Sequence, residues 1–306
     1  MRTPIIGSRG SDLALWQAHY VNELLGGGSE ITVIKTRGDA ILHLSLHKVE
    51  GKGFFTREIE DALLQGAIDI AVHSYKDLPT EEPEGLRIAG IPPRAPVADM
   101  LVRNKSAHDP KERWNLPLGA TVGTSSIRRK AQLLHLRPDL KMVDIRGNVP
   151  TRLNKVIDSH LDAVILAEAG LSRLGYLNPT HKAHQVASFE PLPLKDACPA
   201  AAQGALAIQI RAEDSHTATL VEALTCHTTA RAVLTERLLL AKFGGGCHLP
   251  LGAHCTGSAG QLTLLGVVTS PDGSQRCVAS ATGESPETLA DEVHKNLLAQ
   301  GAGDYL

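Results

Sequence analysis

Short runs of apolar and β-branched residues alternate with amphipathic segments along most of this chain, and that alternation restricts its fold more than any other feature. Candidate strands are Pro4–Gly7, Ile31–Thr36, Ile68–His73, Leu86–Ile91, Met100–Arg103, Thr121–Gly123, Met142–Ile145, Ala163–Ala167 and Ala205–Ile210. Between them lie helical patterns at Leu13–Leu25, Arg57–Gln65, Ile127–Leu136 and Thr151–Ser159. Alternation of this kind builds βαβ units around largely parallel sheets. Two proline-rich stretches, IPPRAP (91–96) and PLPLKDACP (191–199), mark hinges or crossings between domains. From about residue 218 the style changes. Helical patterns at Ser215–Leu224 and Thr228–Lys242 lead into LTLLGVVTS, QRCVASATG and a last helix at Pro286–Gln300, which suits a small α+β domain. At 306 residues there is chain enough for two or three cores.

Two stretches echo one another. IIGSRGSDLALWQA and TVGTSSIRRKAQLL each run from a strand through glycine, a hydroxyl residue and arginine into a helix, a geometry that offers N–H groups and a guanidinium to an anion. In the second, Ser125 or Ser126 is a good N-cap, which sets Arg128, Arg129 and Lys130 in or near the first turn. Cations there oppose the positive end of the helix dipole at roughly 0.3–1 kcal/mol each, and something anionic would offset that. DIRGNVPTRL repeats the pattern, with Asn148 as cap, Pro150 in the first turn, Arg146 just before and Arg152 just inside. Arg9 precedes a helix beginning near Ser11, and Arg173 lies just beyond the strand DAVILA. Surface pairing with nearby Asp and Glu would account for any one of these arginines. Their recurrence after strand C-termini, where open α/β sheets bind ligands, points to recognition of carboxylate or phosphate.

A formal net charge of −2 excludes a broadly basic nucleic-acid binder, though not a local cationic cleft. No GxxxxGK[ST] occurs; GKGFF (51–55) reads instead as a flap carrying Lys52, with Lys48 just upstream. The opening residues carry no basic-then-apolar leader and no long apolar run follows, so neither secretion nor a membrane span is expected. The five cysteines are scattered without a CxxC pair, which fits reduced cytoplasmic thiols and argues against zinc; no metal site is expected. IDIAVHSYKDLPT runs a buried strand into His73, Ser74, Lys76 and Asp77. Asp77 there is either a turn residue bonded to local N–H groups or a catalytic carboxylate beside a lysine, while His73 reads as a packing residue. KFGGGCHLP (242–250) sets Cys247 after three glycines, either past a glycine helix cap or as a nucleophile on mobile backbone.

Taken together the motifs resemble the hydroxymethylbilane synthase, or porphobilinogen deaminase, family. The matching stretches are SRGSDLALWQAHYV, TRGD, KVEGKGFFTREIE, DIAVHSYKDLP, VGTSSIRRKAQL, IRGNVPTRL, AEAGLSRLG, AAQGALAIQ and GGGCHLPLG, in family order from residue 8 to residue 252. Departures are modest: Tyr75 where methionine is also common, Pro150 before the TRL run, and CPAAAQG for a more usual start. The resemblance implies two periplasmic-binding-protein-like (type II) α/β lobes with mixed, largely parallel sheets and a small C-terminal α+β domain. Its boundaries would be 1–93 with 200–217, then 94–199, then 218–306. It implies a covalent dipyrromethane cofactor, one per chain, joined to Cys247 by a thioether, with Asp77 as the catalytic group. Lys76, Thr124, Ser126, Arg128, Arg129 and Arg146 would hold the cofactor; Arg9, Ser11, Arg146, Arg152 and Arg173 would bind substrate; and Lys48, Lys52 and Phe55 would belong to the flap. The implied reaction deaminates four porphobilinogen molecules, joins them head to tail on the cofactor and releases a linear tetrapyrrole by hydrolysis. A cytoplasmic monomer with no nucleic-acid or membrane partner is expected. Two rivals stand beside it. A non-catalytic two-lobed module for an anionic small molecule gives no reason for Asp77 or Cys247, and a cysteine hydrolase lacks a paired histidine.

Overall fold

The computed structural model describes residues 3–36, 56–246, 249–257 and 260–305. Three sheets organise them. The first has the order β2-β1-β3-β10-β4, built from β1 (Ile5–Ser8), β2 (Glu30–Val33), β3 (Ile70–Ser74), β4 (Leu86–Gly90) and β10 (Leu206–Arg211). The second has the order β7-β6-β8-β5-β9, from β5 (Asp99–Asn104), β6 (Thr121–Gly123), β7 (Lys141–Val143), β8 (Ala163–Ala167) and β9 (Ala187–Pro191). In each, three neighbouring strands pair in parallel, and the fourth, β10 or β5, runs antiparallel to both its neighbours. The reversed strand in each sheet is the one delivered by a proline-rich crossing. The two lobes thus share one topology, and β1 and β6 of the echoing stretches hold equivalent places.

Helices follow the strands as the patterning predicts. In the first lobe these are α1 (Asp12–Leu24) and α2 (Arg57–Leu64); in the second they are α3 (Ile127–Leu136) and α4 (Val149–Ile157), to which the structure adds the six-residue α5 (Glu168–Arg173). Ser11, Ser126 and Asn148 are the N-caps of α1, α3 and α4, each accepting an N–H from three residues on. Ile6, Ile70, Val72, Ile208 and Val221 fill the first core, and Leu133 of α3 packs with Leu101, Leu116, Val122 and Ile165 in the second. Each fully buried aliphatic side chain of this size contributes roughly 1.5–3 kcal/mol.

The third sheet, β11 (Leu251–Gly257), β12 (Leu262–Thr269) and β13 (Arg276–Gly283), is an antiparallel meander. It is covered by α7 (His227–Lys242) and α8 (Pro286–Ala299) through Leu239, Val293 and Leu297. Helix α6 (Ser215–Glu222) straddles the expected boundary at residue 218 and packs Ala218 and Val221 into the first sheet's core. Elements the periodicity did not predict are β9, a half-exposed edge ending in proline, the short α5, and β11.

One buried carboxylate ties the three parts together. Glu236 on α7 receives both terminal nitrogens of Arg94, from the first crossing, at 2.7 and 2.8 Å. It also accepts the N–H groups of Ala202, from the second crossing, and Cys255, from β11. No helix among the described residues is long and apolar enough to cross a membrane.

Candidate active site

The C-terminal end of β3 turns at once into a 3-10 segment, Tyr75–Asp77, which leaves Asp77 exposed and Lys76 half-buried. That turn is clamped from outside by Arg237 of α7. Its guanidinium donates to the carbonyls of Tyr75, Leu78 and Pro79 and lies over the Tyr75 ring, 4.3 Å from its centroid. Asp77 is therefore held by its backbone and leaves its carboxylate outside.

From the second lobe α3 brings Arg128 and Arg129, both almost fully buried, against Asp99 at the start of β5. Arg129 approaches one carboxylate oxygen with Nε at 3.0 Å and Nη2 at 2.7 Å; Arg128 Nη1 reaches the other at 2.8 Å. The carbonyls of Ile165 and Cys198 take further donors. The anion that two arginines in a first helical turn call for is thus supplied, at least in part, by the chain itself. Burial works to raise the Asp99 pKa, but the two guanidinium groups and their hydrogen bonds outweigh it and hold the carboxyl below its ordinary range.

Lys76 faces this cluster from the first lobe. Burial, then the positive field of Arg129, lowers its ammonium to about 8, with Asp77 and Asp99 pulling the other way and Arg128 adding to the depression. Arg152, inside α4, is lowered to about 10 by burial and by Arg129, with Asp77 opposing and Arg146 adding. Lys76, Asp77, Arg128, Arg129, Arg146 and Arg152 therefore share one electrostatic neighbourhood drawn from both lobes.

The other expected residues sit at its margins. Arg9, at the end of β1, is close enough to His73 to help lower that imidazole to about 4, after the larger effect of burial. His73 bonds Gln209 in the core, as a packing histidine should. Ser11 and Ser126 serve as helix caps, and the buried Thr124 hydroxyl accepts the Ser126 N–H. Arg173 spans the lobes. It donates to the Gly204 carbonyl at 2.8 Å and lies 5.5 Å from the centre of the Trp16 ring on α1. Cys247, Lys48, Lys52 and Phe55 lie outside the described residues.

The approach to Cys247 is described as far as Gly246. α7 ends in a Schellman cap: the Gly245 N–H bonds the Leu240 carbonyl and the Gly244 N–H bonds that of Ala241, with φ of 88° at Gly244 and 61° at Gly245. A Cβ on Gly245 would collide with the Thr80 hydroxyl, three residues past Asp77. Two residues before the cysteine, then, the loop runs against the segment that carries the exposed carboxylate. Sequence reasoning missed Asp99, Gln203, Arg237 and Thr80. Only Gln203, a polar residue in the Ala- and Gly-rich AAQG crossing, carried a local signal.

As a class, this is a two-lobed α/β protein whose cations from both lobes gather about one exposed carboxylate, suited to a small molecule bearing several acidic groups. The particular family follows from comparison. A family profile described as "porphobilinogen deaminase, dipyromethane cofactor binding domain" matches residues 5–219, and one described as "porphobilinogen deaminase, C-terminal domain" matches residues 230–299. The chain is 46% identical over 308 residues to a porphobilinogen deaminase of Moorella thermoacetica, covering 98% of this chain and 95% of that protein. Against that of Brevibacillus brevis it is 44% identical over 307 residues, covering 98% and 96%. The chain belongs to the porphobilinogen deaminase family. Among solved structures it is similar to YhfZ of Shigella flexneri, with a TM-score of 0.34, 16% identity and coverage of 79% of this chain and 97% of that one. It is also similar to an arginine-specific periplasmic binding protein of Salmonella typhimurium, with a TM-score of 0.40, 13% identity and coverage of 75% and 94%.

Proposed function

We infer that the chain is a transferase of tetrapyrrole biosynthesis. It deaminates porphobilinogen, joins four molecules head to tail and releases the linear hydroxymethylbilane. Each addition breaks the C–N bond of one aminomethyl group and one ring C–H bond, forms one C–C bond, and releases ammonia, with which the ring proton leaves. At release water cleaves the bond to the primer, its hydroxyl going to the product's methylene carbon and its proton to the primer's ring α-carbon. The observation that carries this reading is the exposed Asp77 carboxylate set among Lys76, Arg129 and Arg152, with the Gly245 loop packed on Thr80.

The donor set fits a dipyrromethane cofactor. Such a group carries acetate and propionate carboxylates, which call for guanidinium and ammonium partners, and pyrrole N–H groups, which call for a carboxylate. We propose that Lys76, Thr124, Ser126, Arg128, Arg129 and Arg146 hold it, one per chain, through a thioether at Cys247. When bound it supplies a primer with a free ring α-carbon. Arg9, Ser11, Arg146, Arg152 and Arg173 bind the substrate's carboxylates, and Lys48, Lys52 and Phe55 form the flap. Asp77 accepts the substrate's pyrrole N–H and stabilises the positive charge that develops on its ring as ammonia departs. A fixed carboxylate at that point suits the task, because it opposes the positive charge forming on the ring. The three domains then comprise 1–93 with 200–217, 94–199 and 218–306, save that α6 carries the first lobe on to Glu222, and the enzyme works as a cytoplasmic monomer without nucleic-acid or membrane partners. Family membership argues against the non-catalytic binding module.

Intact mass and turnover test this together. The purified protein should exceed its sequence mass by two pyrrole units, Cys247→Ser should lack that increment, and porphobilinogen should yield ammonia and a tetrapyrrole that cyclises to uroporphyrin. An unmodified wild type that still polymerises porphobilinogen, or a modified one that does not, would overturn the reading.

A further inference from the structure

Gln203 lies in the second crossing between the lobes and is fully buried. Its side chain is nonetheless an amide, in a stretch otherwise made of alanine, proline and glycine. Its Oε1 accepts from the Lys76 ammonium at 3.1 Å. Its Nε2 donates to the Val97 carbonyl at 2.7 Å and the Asp99 carboxylate at 2.9 Å, with the Ala98 carbonyl at 3.4 Å. The amide orientation follows from those partners, because a flipped group would turn its oxygen toward two carbonyls and a carboxylate.

The backbone on either side is held just as closely. Ala202 has φ of 61° and Gly204 φ of 86°, and a Cβ on Gly204 would meet the Ala95 carbonyl at 2.5 Å, so the two crossing strands touch there. The Ala95 N–H bonds the Gly204 carbonyl, and the Gln203 carbonyl accepts Arg94 Nε. A buried polar group is tolerated when its partners are fixed, and these partners lead toward the site from both lobes. On one side is the lysine next to Asp77; on the other is the carboxylate that gathers Arg128 and Arg129.

We propose that Gln203 is a positioning residue for the reaction: from the hinge, its amide sets Lys76 of the first lobe against the Asp99–Arg128–Arg129 cluster of the second. The proposal rests on the deaminase reading of the site. It explains why this crossing needs an amide, since a donor and an acceptor are required at once and hydrophobic residues of similar length offer neither. Lys76 is faced by Arg128 and Arg129, which disfavour its ammonium, and by Asp77 and Asp99, which favour it. The Gln203 side-chain oxygen Oε1 adds a bond that only the protonated, correctly placed amine fully uses.

Gln203→Met keeps the length and removes the amide; Gln203→Glu keeps an acceptor and places a second oxygen against Val97 and Asp99. Cofactor-loaded enzyme of each would be assayed for kcat and KM from about pH 6 to 9, with intact mass for loading and urea midpoints for the fold. Expected for Gln203→Met is about a tenfold lower kcat with KM within about twofold, and an alkaline limb displaced to lower pH as the ammonium loses an acceptor. Gln203→Glu should be slower still at high pH and recover as the pH falls, because a protonated carboxyl can again donate toward Asp99. Variants with wild-type kinetics, or with a uniform loss at every pH that follows the urea midpoint, would overturn the proposal. If Gln203→Met does not fold, the pH recovery of Gln203→Glu decides alone. A wild type unable to convert porphobilinogen would instead sink the deaminase reading.

Discussion

Asp99→Ala tests whether the site's arginines are held by the chain before any ligand arrives. Asp99 is wholly buried and Arg128 and Arg129 are 4% and 6% exposed, so the substitution leaves two guanidinium groups uncompensated in the interior. Removing one partner of a buried pair costs about 3–5 kcal/mol. The carbonyls of Cys198 and Ile165 still receive a donor from each arginine, which puts the expectation at the lower end, about 3 kcal/mol. With a urea dependence of about 2–3 kcal/mol per molar, the midpoint falls by roughly 1 M or a little more. Only two tryptophans are present, Trp16 and Trp114. A Trp16→Phe background therefore makes emission report on Trp114, which bonds Asp196 within the second lobe. The pH dependence gives a second handle. Since the folded carboxyl titrates below its ordinary value, its stabilisation is complete above about pH 4 and is lost as pH falls through the folded value. The gap between wild type and Asp99→Asn should accordingly narrow toward strong acid. A loss under about 1 kcal/mol, or a gap that widens in acid, would refute the claim that Asp99 anchors the pair.

Gly245→Ala forces a Cβ onto Thr80 and puts alanine in the left-handed region, at a cost of about 1–2 kcal/mol for the backbone alone. A thermal melt should show it, and Thr80→Ala should recover part of the loss; strict additivity of the two would refute the contact. Among the four described cysteines, Cys226 should be the one alkylated first near neutral pH, read by peptide mass. Hydrogen bonds from Thr228 and Thr229 lower its thiol to about 7, whereas burial raises Cys198 to about 12 and Cys255 to about 11. Equal labelling of Cys198 would contradict that ordering.

Local signals carried much of the fold. The span of α3, and the caps Ser126 and Asn148, follow from residue types that neighbours three places on can satisfy, and α4 lies two residues earlier than expected at both ends, starting directly after its cap. What resisted prediction is long-range. Asp99 sits beside an ordinary strand in the sequence, and nothing local couples it to arginines 29 and 30 residues away. The misplaced charges of α3 did announce an anion, but not that the protein furnishes one. Likewise Gln203 meets Lys76 across 127 residues, a pairing only the double crossing creates. His73 was legible because a histidine on a buried strand has few other fates.

The interleaved topology has a consequence for biosynthesis on the ribosome. β10 lies between β3 and β4, so the amino-terminal sheet cannot reach its final order until residues 206–211 have emerged. The central lobe, contiguous from β5 to β9, is complete earlier. Vectorial synthesis therefore favours the middle of the polypeptide maturing first, while the leading segment waits with β3 and β4 bare along the edges that β10 will join.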